Sequence, residues 1–398
     1  MLNFAFYLPT KLIFGVGEIA KAGTEAGRIG RHALIVTGKS AAKKHRIIDK
    51  VGGYLDAAGV KYTVFSEIEP NPRNTTIDKA AGIAREKGCD FIIGLGGGSA
   101  MDAAKGIAVS AAMNEPVWDF IYSGKAKPKP LTKAWPTMMI PTLAATSSES
   151  DSGGVITNWE THEKAVLGSP LLFPVTSIID PELTVTVSKD YTIDGGIDII
   201  AHVIESFFTG VKNTPIQDRF SMSIIKTVME NLPKVIKNPG DVEARSNISW
   251  CATVALCGIV NQGRGGSFPN HAIEHALSGY YDISHGRGLA ILIPRIMRFT
   301  YEARPEKFAF MARELFGVTD GKPEIELAKM AVDKMVEFLN SVERNITLQD
   351  VGITDKSKFK NMAEDTIRIY GGGEYIENPR RIYKDDVIKI LEMSTVAN

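Results

Sequence analysis

Between Ala33 and Pro141, short apolar runs alternate with stretches of helical periodicity. Ala33–Thr37 (ALIVT), Tyr62–Phe65 (YTVF), Asp90–Leu95 (DFIIGL) and Thr137–Pro141 (TMMIP) have the length and residue types of strands. Ile47–Ala58, Thr76–Glu86 and a segment from about Ala100 read as helices. This rhythm predicts βαβ units on a parallel sheet, because parallel neighbours must be joined by a crossover. After Ile178-Ile179-Asp180-Pro181-Glu182 the texture changes. From about Tyr191 most segments have helical periodicity, with stops expected at Pro215, Pro233, Pro239, Pro269 and Pro305. The sequence therefore reads as an α/β domain over 1–186 and an all-helical domain over 187–398. No internal repeat and no low-complexity tract interrupts them.

Composition narrows the function. Lys+Arg and Asp+Glu both number 46, so the formal net charge is zero. That argues against nucleic acid or an anionic membrane as partner, since both select a basic face. No apolar run is long enough to span a bilayer, and MLNFAFYLPTK lacks the basic start and cleavage site of a signal peptide. Cys89, Cys251 and Cys257 are too few and too scattered for a disulfide framework, and they read as small buried hydrophobes. The expected location is the cytoplasm.

Two segments carry chemistry in the first half. Gly96-Gly97-Gly98-Ser99 follows the strand DFIIGL and precedes the helix AMDAAKGIAV. Glycines let a backbone approach an anion, and the N–H groups of a helix start point at it. This is neither a G-x-G-x-x-G fingerprint, because Gly94-Leu95-Gly96-Gly97-Gly98-Ser99 ends in serine, nor a Walker loop. A tight turn is the bland reading. Its place after a parallel strand, at the edge where α/β sheets bind ligands, favours a phosphate site and a dinucleotide-binding domain. Pro141-Thr142-Leu143-Ala144-Ala145-Thr146-Ser147-Ser148-Glu149 follows the next strand and offers hydroxyls for the same ligand, or for capping and turns.

The second half holds a histidine cluster. Three of the seven histidines fall in HAIEHALSGYYDISHG, from His271 to Gly286. His271 and His275 share one helix face, and a turn can return His285 toward them. Upstream, Asp198 and His202 stand four apart in an apolar helical stretch. A buried Asp needs a partner. A plain Asp–His hydrogen bond would serve, but two such segments in one helical domain point to a metal such as Zn²⁺ or Fe²⁺. Spacing alone does not choose between His271 and His275.

Taken in order, GGGS with Asp102 and Lys105, PTxxxTxSE, DxxxH within Asp-Ile-Ile-Ala-His-Val-Ile-Glu, and HxxxHxxxxxxxxxHG resemble the iron-containing (group III) alcohol dehydrogenases over nearly the whole chain. GRGGSFPNHAIEH, from Gly263 to His275, is most similar to the butanol dehydrogenase branch.

The resemblance implies a Rossmann-like N-terminal domain and an all-α metal-binding C-terminal domain, the fold shared with dehydroquinate synthase, with the metal in the cleft between them. Asp198, His202, His271 and His285 match its ligand positions. His275 matches a neighbour of nicotinamide and substrate, a candidate for proton transfer. Gly96, Gly97, Gly98 and Ser99 match the pyrophosphate loop. Asp102, Thr142, Thr146, Ser148 and Lys164 match cofactor contacts. Ala145 and Ser147 depart from the family, which usually has glycines there. NAD-preferring relatives often carry Asp at the Gly38 position. Glycine with Lys39 and Ser40 leaves room and charge for a 2′-phosphate, so NADP(H) is the expected cofactor, with NAD(H) as the alternative. Fe²⁺ is the expected metal, and Zn²⁺ suits the same donors.

The implied reaction is hydride transfer between the dinucleotide and a short-to-medium-chain primary alcohol or aldehyde, by a homodimer. Pocket residues are expected from Asp151–Gly153, Gln262–Phe268 and Tyr370–Glu374. Two rival readings share the architecture. A lyase of the dehydroquinate synthase type would need a basic cluster that the helical half lacks. A glycerol dehydrogenase would use fewer histidine ligands, and a diol substrate stays open as an alternative. A non-enzymatic metal or nucleotide sensor is a third reading, which any aldehyde turnover would exclude.

Overall fold

The computed structural model describes residues 1–39, 45–318 and 321–397. The α/β half runs β1 (Lys11–Phe14), α1 (Ala22–Ile29), β2 (His32–Gly38), α2 (Ile47–Ala57), β3 (Lys61–Ile68), α3 (Asn74–Glu86), β4 (Phe91–Gly96), α4 (Gly98–Met113), β5 (Thr137–Pro141), β6 (Gly153–Asn158), β7 (Glu163–Gly168) and β8 (Thr176–Ile179). Then follow α5 (Lys189–Thr209), α6 (Pro215–Lys237), α7 (Val242–Ala255), α8 (Pro269–Tyr281), α9 (His285–Thr300), α10 (Pro305–Phe316), α11 (Glu324–Ser341), α12 (Phe359–Tyr370) and α13 (Lys384–Met393).

Six strands form one sheet in the order β1-β8-β5-β4-β2-β3, and every pairing is parallel. The burial of each strand follows its place. β4 and β5 are buried at every residue, and β2 at its five central ones. Edge strands β1 and β3 keep half-exposed positions. A parallel sheet covered on both faces needs continuous apolar runs in its centre, which ALIVT, DFIIGL and TMMIP provide. Ile35, Ile93, Phe91, Leu55 and Ile140 meet in one core cluster. Each such side chain, fully withdrawn from water, contributes about 1.5–3 kcal/mol.

Two compact units result. One comprises Tyr7–Ser188 with Pro239–Thr253, the other Met1–Phe6 with Lys189–Asn238 and Val254–Asn398. The single cut near residue 187 therefore misses two exchanges. Most of α7 packs with the α/β unit, where the backbone carbonyls of Ala252 and Thr253 accept from the Ser147 and Ser150 hydroxyls. The first six residues join the helical unit, where the Leu2 N–H donates to the Gly263 carbonyl at 2.8 Å.

Other expectations are corrected by the structure. Pro215, Pro269 and Pro305 open helices, as a residue without an N–H should. Pro233 instead lies inside α6. It sits on the exposed face near the helix end, where solvent can satisfy the carbonyl it leaves unpaired. Among the described residues, no helix is long and apolar enough to cross a membrane.

Candidate active site

In the helical unit, α5 is buried from Thr192 to Phe208. Asp198, His202 and Glu205 are spaced i, i+4, i+7 and so share a face. α8 brings His271, Glu274 and His275, and ends at Asp282 in the left-handed conformation (φ 53°). That reversal starts α9 at His285. A β-carbon on Gly286 would lie 2.1 Å from the Asp194 carbonyl oxygen. Only glycine lets the start of α9 press against the α5 backbone and deliver His285 there.

The three imidazoles converge on one oxygen. His202 Nε2 and His271 Nε2 each lie 3.5 Å from Asp198 Oδ1, and His285 Nε2 lies 3.7 Å from it. Asp198 Oδ1 and His271 Nε2 are buried without a hydrogen-bond partner. Four donors held about 2.1 Å from a tetrahedral cation stand roughly 3.4 Å apart. The spacing is too long for good hydrogen bonds and right for shared ligation. Unpartnered buried acceptors cost free energy that a cation would recover.

Carboxylates behind the rings orient them. Glu205 Oε1 is 2.6 Å from His271 Nδ1. Its Oε2 accepts from the Asn270 and His271 N–H groups at 2.5 and 3.2 Å, which caps α8. The Glu274 carboxylate bonds His285 Nδ1. A carboxylate at Nδ1 keeps the proton there and leaves the Nε2 lone pair for a metal. His275 differs: its Nδ1 meets the Tyr370 hydroxyl at 2.5 Å. The cluster favours one positive charge. Burial lowers His202 to about 3. Burial opposes charge on His271 too, but Glu205 and Asp198 outweigh it and push that ring up to about 10. Burial likewise opposes charge on Asp198, yet His202, His271 and His285 hold its carboxyl well below the usual range.

In the α/β unit, α4 begins directly after β4, with Gly97 as its cap. The first-turn N–H groups of Gly98 and Ser99 therefore face the carboxyl edge of the sheet. A β-carbon on Gly98 would sit 2.3 Å from Thr146 Cγ2, so its glycine is required by the neighbouring loop. That loop is tied in by the Thr142 N–H, which donates to the Gly96 carbonyl at 2.8 Å. The Ser148 N–H lies 3.3 Å from Thr146 Oγ1. Ser147 holds φ 60°, a left-handed conformation that glycine adopts more readily than serine. The structure thus brings Gly96–Ser99, Thr142, Thr146 and Ser148 together. Gly38 ends the neighbouring strand β2. Lys39 Nζ stands 3.9 Å from Glu69 Oε1. Ser40 lies outside the described residues.

Two expected contacts, Asp102 and Lys164, and the motif residue Lys105 have bonds of their own. Asp102 Oδ2 accepts from the Val155 N–H at 2.8 Å, and burial raises its carboxyl to about 6. Lys105, fully buried, donates to Asp151 Oδ1 and the Gly153 carbonyl, both at 2.6 Å. Lys164, on β7, donates to Asn71 Oδ1 at 2.8 Å. Within Gln262–Phe268, Arg264 is fully buried and donates to Ser206 and Ser221 at 2.7 and 2.8 Å. It anchors the loop before α8.

The sequence pointed to Asp198, His202, His271 and His285 as candidate ligands but passed over Glu205 and Glu274. Glu205 was readable as the third member of the Asp198 spacing. Glu274, one residue before His275, carries no such signal.

Residues 9–181 match the family model "Iron-containing alcohol dehydrogenase", and residues 192–395 match "Fe-containing alcohol dehydrogenase family, C-terminal". The chain belongs to the iron-containing alcohol dehydrogenase family. It is an oxidoreductase of the alcohol dehydrogenase and aldehyde reductase type. It is 40% identical to the probable NADH-dependent butanol dehydrogenase 1 of Bacillus subtilis (strain 168), spanning 99% of this chain and 100% of that protein. It is 36% identical, over 99% of this chain and 100% of the relative, to the NADH-dependent butanol dehydrogenase A of Clostridium acetobutylicum. Among solved structures, the NADH-dependent butanol dehydrogenase A of Thermotoga maritima superposes with a TM-score of 0.93 at 33% identity, covering 100% of this chain and 99% of that one.

Proposed function

We propose that Asp198, His202, His271 and His285 hold one Fe²⁺, with Zn²⁺ as a competent substitute, and that the enzyme reduces short-to-medium-chain linear aldehydes or oxidises the matching primary alcohols. The observation that carries this reading is the convergence of three Nε2 atoms on a buried, unpartnered Asp198 oxygen. The branch similarity supports the butanal-like substrate.

When bound, the metal supplies Lewis acidity at the substrate oxygen and a nicotinamide dinucleotide supplies the hydride. The chain does the rest. Glu205 and Glu274 keep His271 and His285 in the ligating tautomer. Gly98 and Ser99 offer N–H groups to the pyrophosphate, with Thr142, Thr146 and Ser148 beside them. His275 exchanges the proton of the substrate oxygen through Nε2. Asp102, Lys105 and Lys164 shape the loops that carry these groups.

For the cofactor, Gly38 leaves room for a 2′-phosphate, but the Lys39 charge is shared with Glu69. Close relatives named as NADH-dependent pull the same way. Our reading is NADH first, with NADPH accepted. Three buried free cysteines suit a reducing cytoplasm. The exposed apolar residues Leu2, Phe4, Phe6 and Tyr7 suit burial in a homodimer.

The test is an anaerobic assay. The protein is stripped, reloaded with Fe²⁺ or Zn²⁺, and followed with butanal and NADH or NADPH. Turnover that needs metal, is faster with NADH, and vanishes in His271→Ala is expected. Metal-bound protein inert toward aldehydes and ketones would overturn the reading.

A further inference from the structure

We propose that Tyr370 is a positioning residue, whose hydroxyl holds the His275 ring with Nε2 presented for the substrate oxygen. The inference rests on the reading of His275 as the proton-exchanging group.

Four imidazoles crowd this end of the helical unit; His202 Nδ1 is buried without a hydrogen-bond partner, and the other three rings each have an anchor at Nδ1. His271 has Glu205, His285 has Glu274, and His275 has Tyr370. The difference in anchor chemistry is informative. A carboxylate only accepts, so it fixes the proton on Nδ1 and makes Nε2 a permanent lone pair, as a metal ligand requires. A phenol both donates and accepts, so it holds the ring without dictating where the proton sits. That is the anchor suited to a ring that trades protons and unsuited to one that ligates. It also separates His275 from His271, which helical spacing alone left equivalent.

The anchor is itself firmly placed. Tyr370 is the last residue of α12, and the Gly371 and Gly373 N–H groups both donate to the Ile367 carbonyl, at 2.9 and 3.0 Å. A β-carbon on Gly371 would meet the Ile367 and Tyr375 carbonyl oxygens at 2.8 Å, so the chain can turn there only with glycine. Its ring stands 5.3 Å from that of His275, centroid to centroid. Burial, with Glu274 nearby, raises the phenol above its ordinary range, so the hydroxyl keeps its proton. With Nδ1 committed to Tyr370, exchange with a reacting oxygen passes through Nε2. Without that bond, a half-turn about the Cβ–Cγ bond would put Cδ2 where Nδ1 stands and Cε1 where Nε2 stands, taking the exchanging nitrogen away from the substrate oxygen.

The test is a double-mutant cycle on the metal-loaded enzyme with butanal and saturating cofactor. His275→Ala is expected to lower kcat by about 100-fold. Tyr370→Phe, which keeps the ring and loses only the hydroxyl, is expected to lower kcat about tenfold, with KM, metal content and melting temperature nearly unchanged. In the His275→Ala background, Tyr370→Phe should have no further effect. As a readout apart from turnover, long-range ¹H–¹⁵N spectra of histidine-labelled protein should show the His275 nitrogens shifted by Tyr370→Phe, with those of His271 unmoved. A normal kcat in Tyr370→Phe overturns the inference alone. So does an equal loss in both backgrounds, which would mean that Tyr370 acts independently of His275. A normal kcat in His275→Ala overturns the reading beneath it, and the inference with it.

Discussion

The histidine cluster, our proposed metal site, and the glycine junction, our proposed phosphate site, are each made of few residues, but they are built from opposite materials. The cluster is side-chain chemistry. Four groups from three helices point at one volume, and carboxylates behind His271 and His285 hold the proton on Nδ1 of those two rings. The junction is backbone chemistry. It needs the N–H groups of Gly98 and Ser99 and the absence of side chains that would obstruct them. The two sites should therefore fail differently. The cluster fails when an atom is deleted, and the junction fails when one is added.

The largest effect expected is on the cluster. His271→Ala removes a proposed ligand, and Asp198→Asn removes the negative charge on which three imidazoles converge. Each should lower kcat/KM by about 10³-fold or more, equivalent to roughly 4 kcal/mol. Bound metal, measured by elemental analysis, should fall with activity. Stripping the wild type with a chelator should lower its melting temperature, because a cation at about 1,000 times its Kd stabilises the fold by about 4 kcal/mol. A melting temperature indifferent to metal in the wild type would break the comparison, since the cluster would then be a purely structural set of polar groups.

A step smaller is Glu274→Gln. The amide still meets His285 Nδ1 but no longer requires a proton there. Metal affinity should fall about 10–100-fold, read by competition with a chromogenic chelator. An unchanged affinity would mean that the ligands alone define the site.

The same contrast governs how much the sequence disclosed. The central strands were readable because burial on both faces demands continuous apolar runs, and ALIVT, DFIIGL and TMMIP offer nothing else. The hairpin β6–β7, antiparallel and outside the main sheet, was not, since GGVITN and EKAVLG are short and mixed. Pro233 was misread as a stop because the cost of proline depends on whether its face sees solvent, which spacing does not tell. In the cluster, Asp198 and His202 disclosed themselves by i, i+4 spacing. His285 reaches them through a close approach at Gly286 that involves Asp194, far away in sequence. The Tyr370–His275 bond joins residues 95 positions apart and left no pattern at all.

Gly98→Ala tests the junction by addition. The new methyl would lie 2.3 Å from Thr146 Cγ2, so the loop or the helix start must shift. Overpacking of this kind costs about 1–3 kcal/mol. Affinity for NADH, read by nicotinamide fluorescence, should fall while metal content stays at wild-type level. Adding Thr146→Ala makes room, and should restore stability more than cofactor affinity. A full restoration of both would show that steric fit, rather than the placing of N–H groups on the anion, governs this site.

The smallest effect separates the two dinucleotides. Lys39 follows directly after β2, where our reading of the cofactor site would put a 2′-phosphate, yet its ammonium lies 3.9 Å from the Glu69 carboxylate, and it is 63% exposed. An exposed pair of this kind is worth about 0–1 kcal/mol, so neither partner is strongly held. If NADH is the working cofactor, Lys39→Ala should change NADPH affinity no more than about threefold and leave NADH unmoved. Glu69→Gln should then improve NADPH binding slightly, because it removes a negative charge without adding bulk. A loss of NADPH affinity beyond about tenfold in Lys39→Ala would mean that the lysine leaves Glu69 for the phosphate. The preference would then belong to NADPH, and the charge at the end of β2, rather than the open space left by Gly38, would be what selects it.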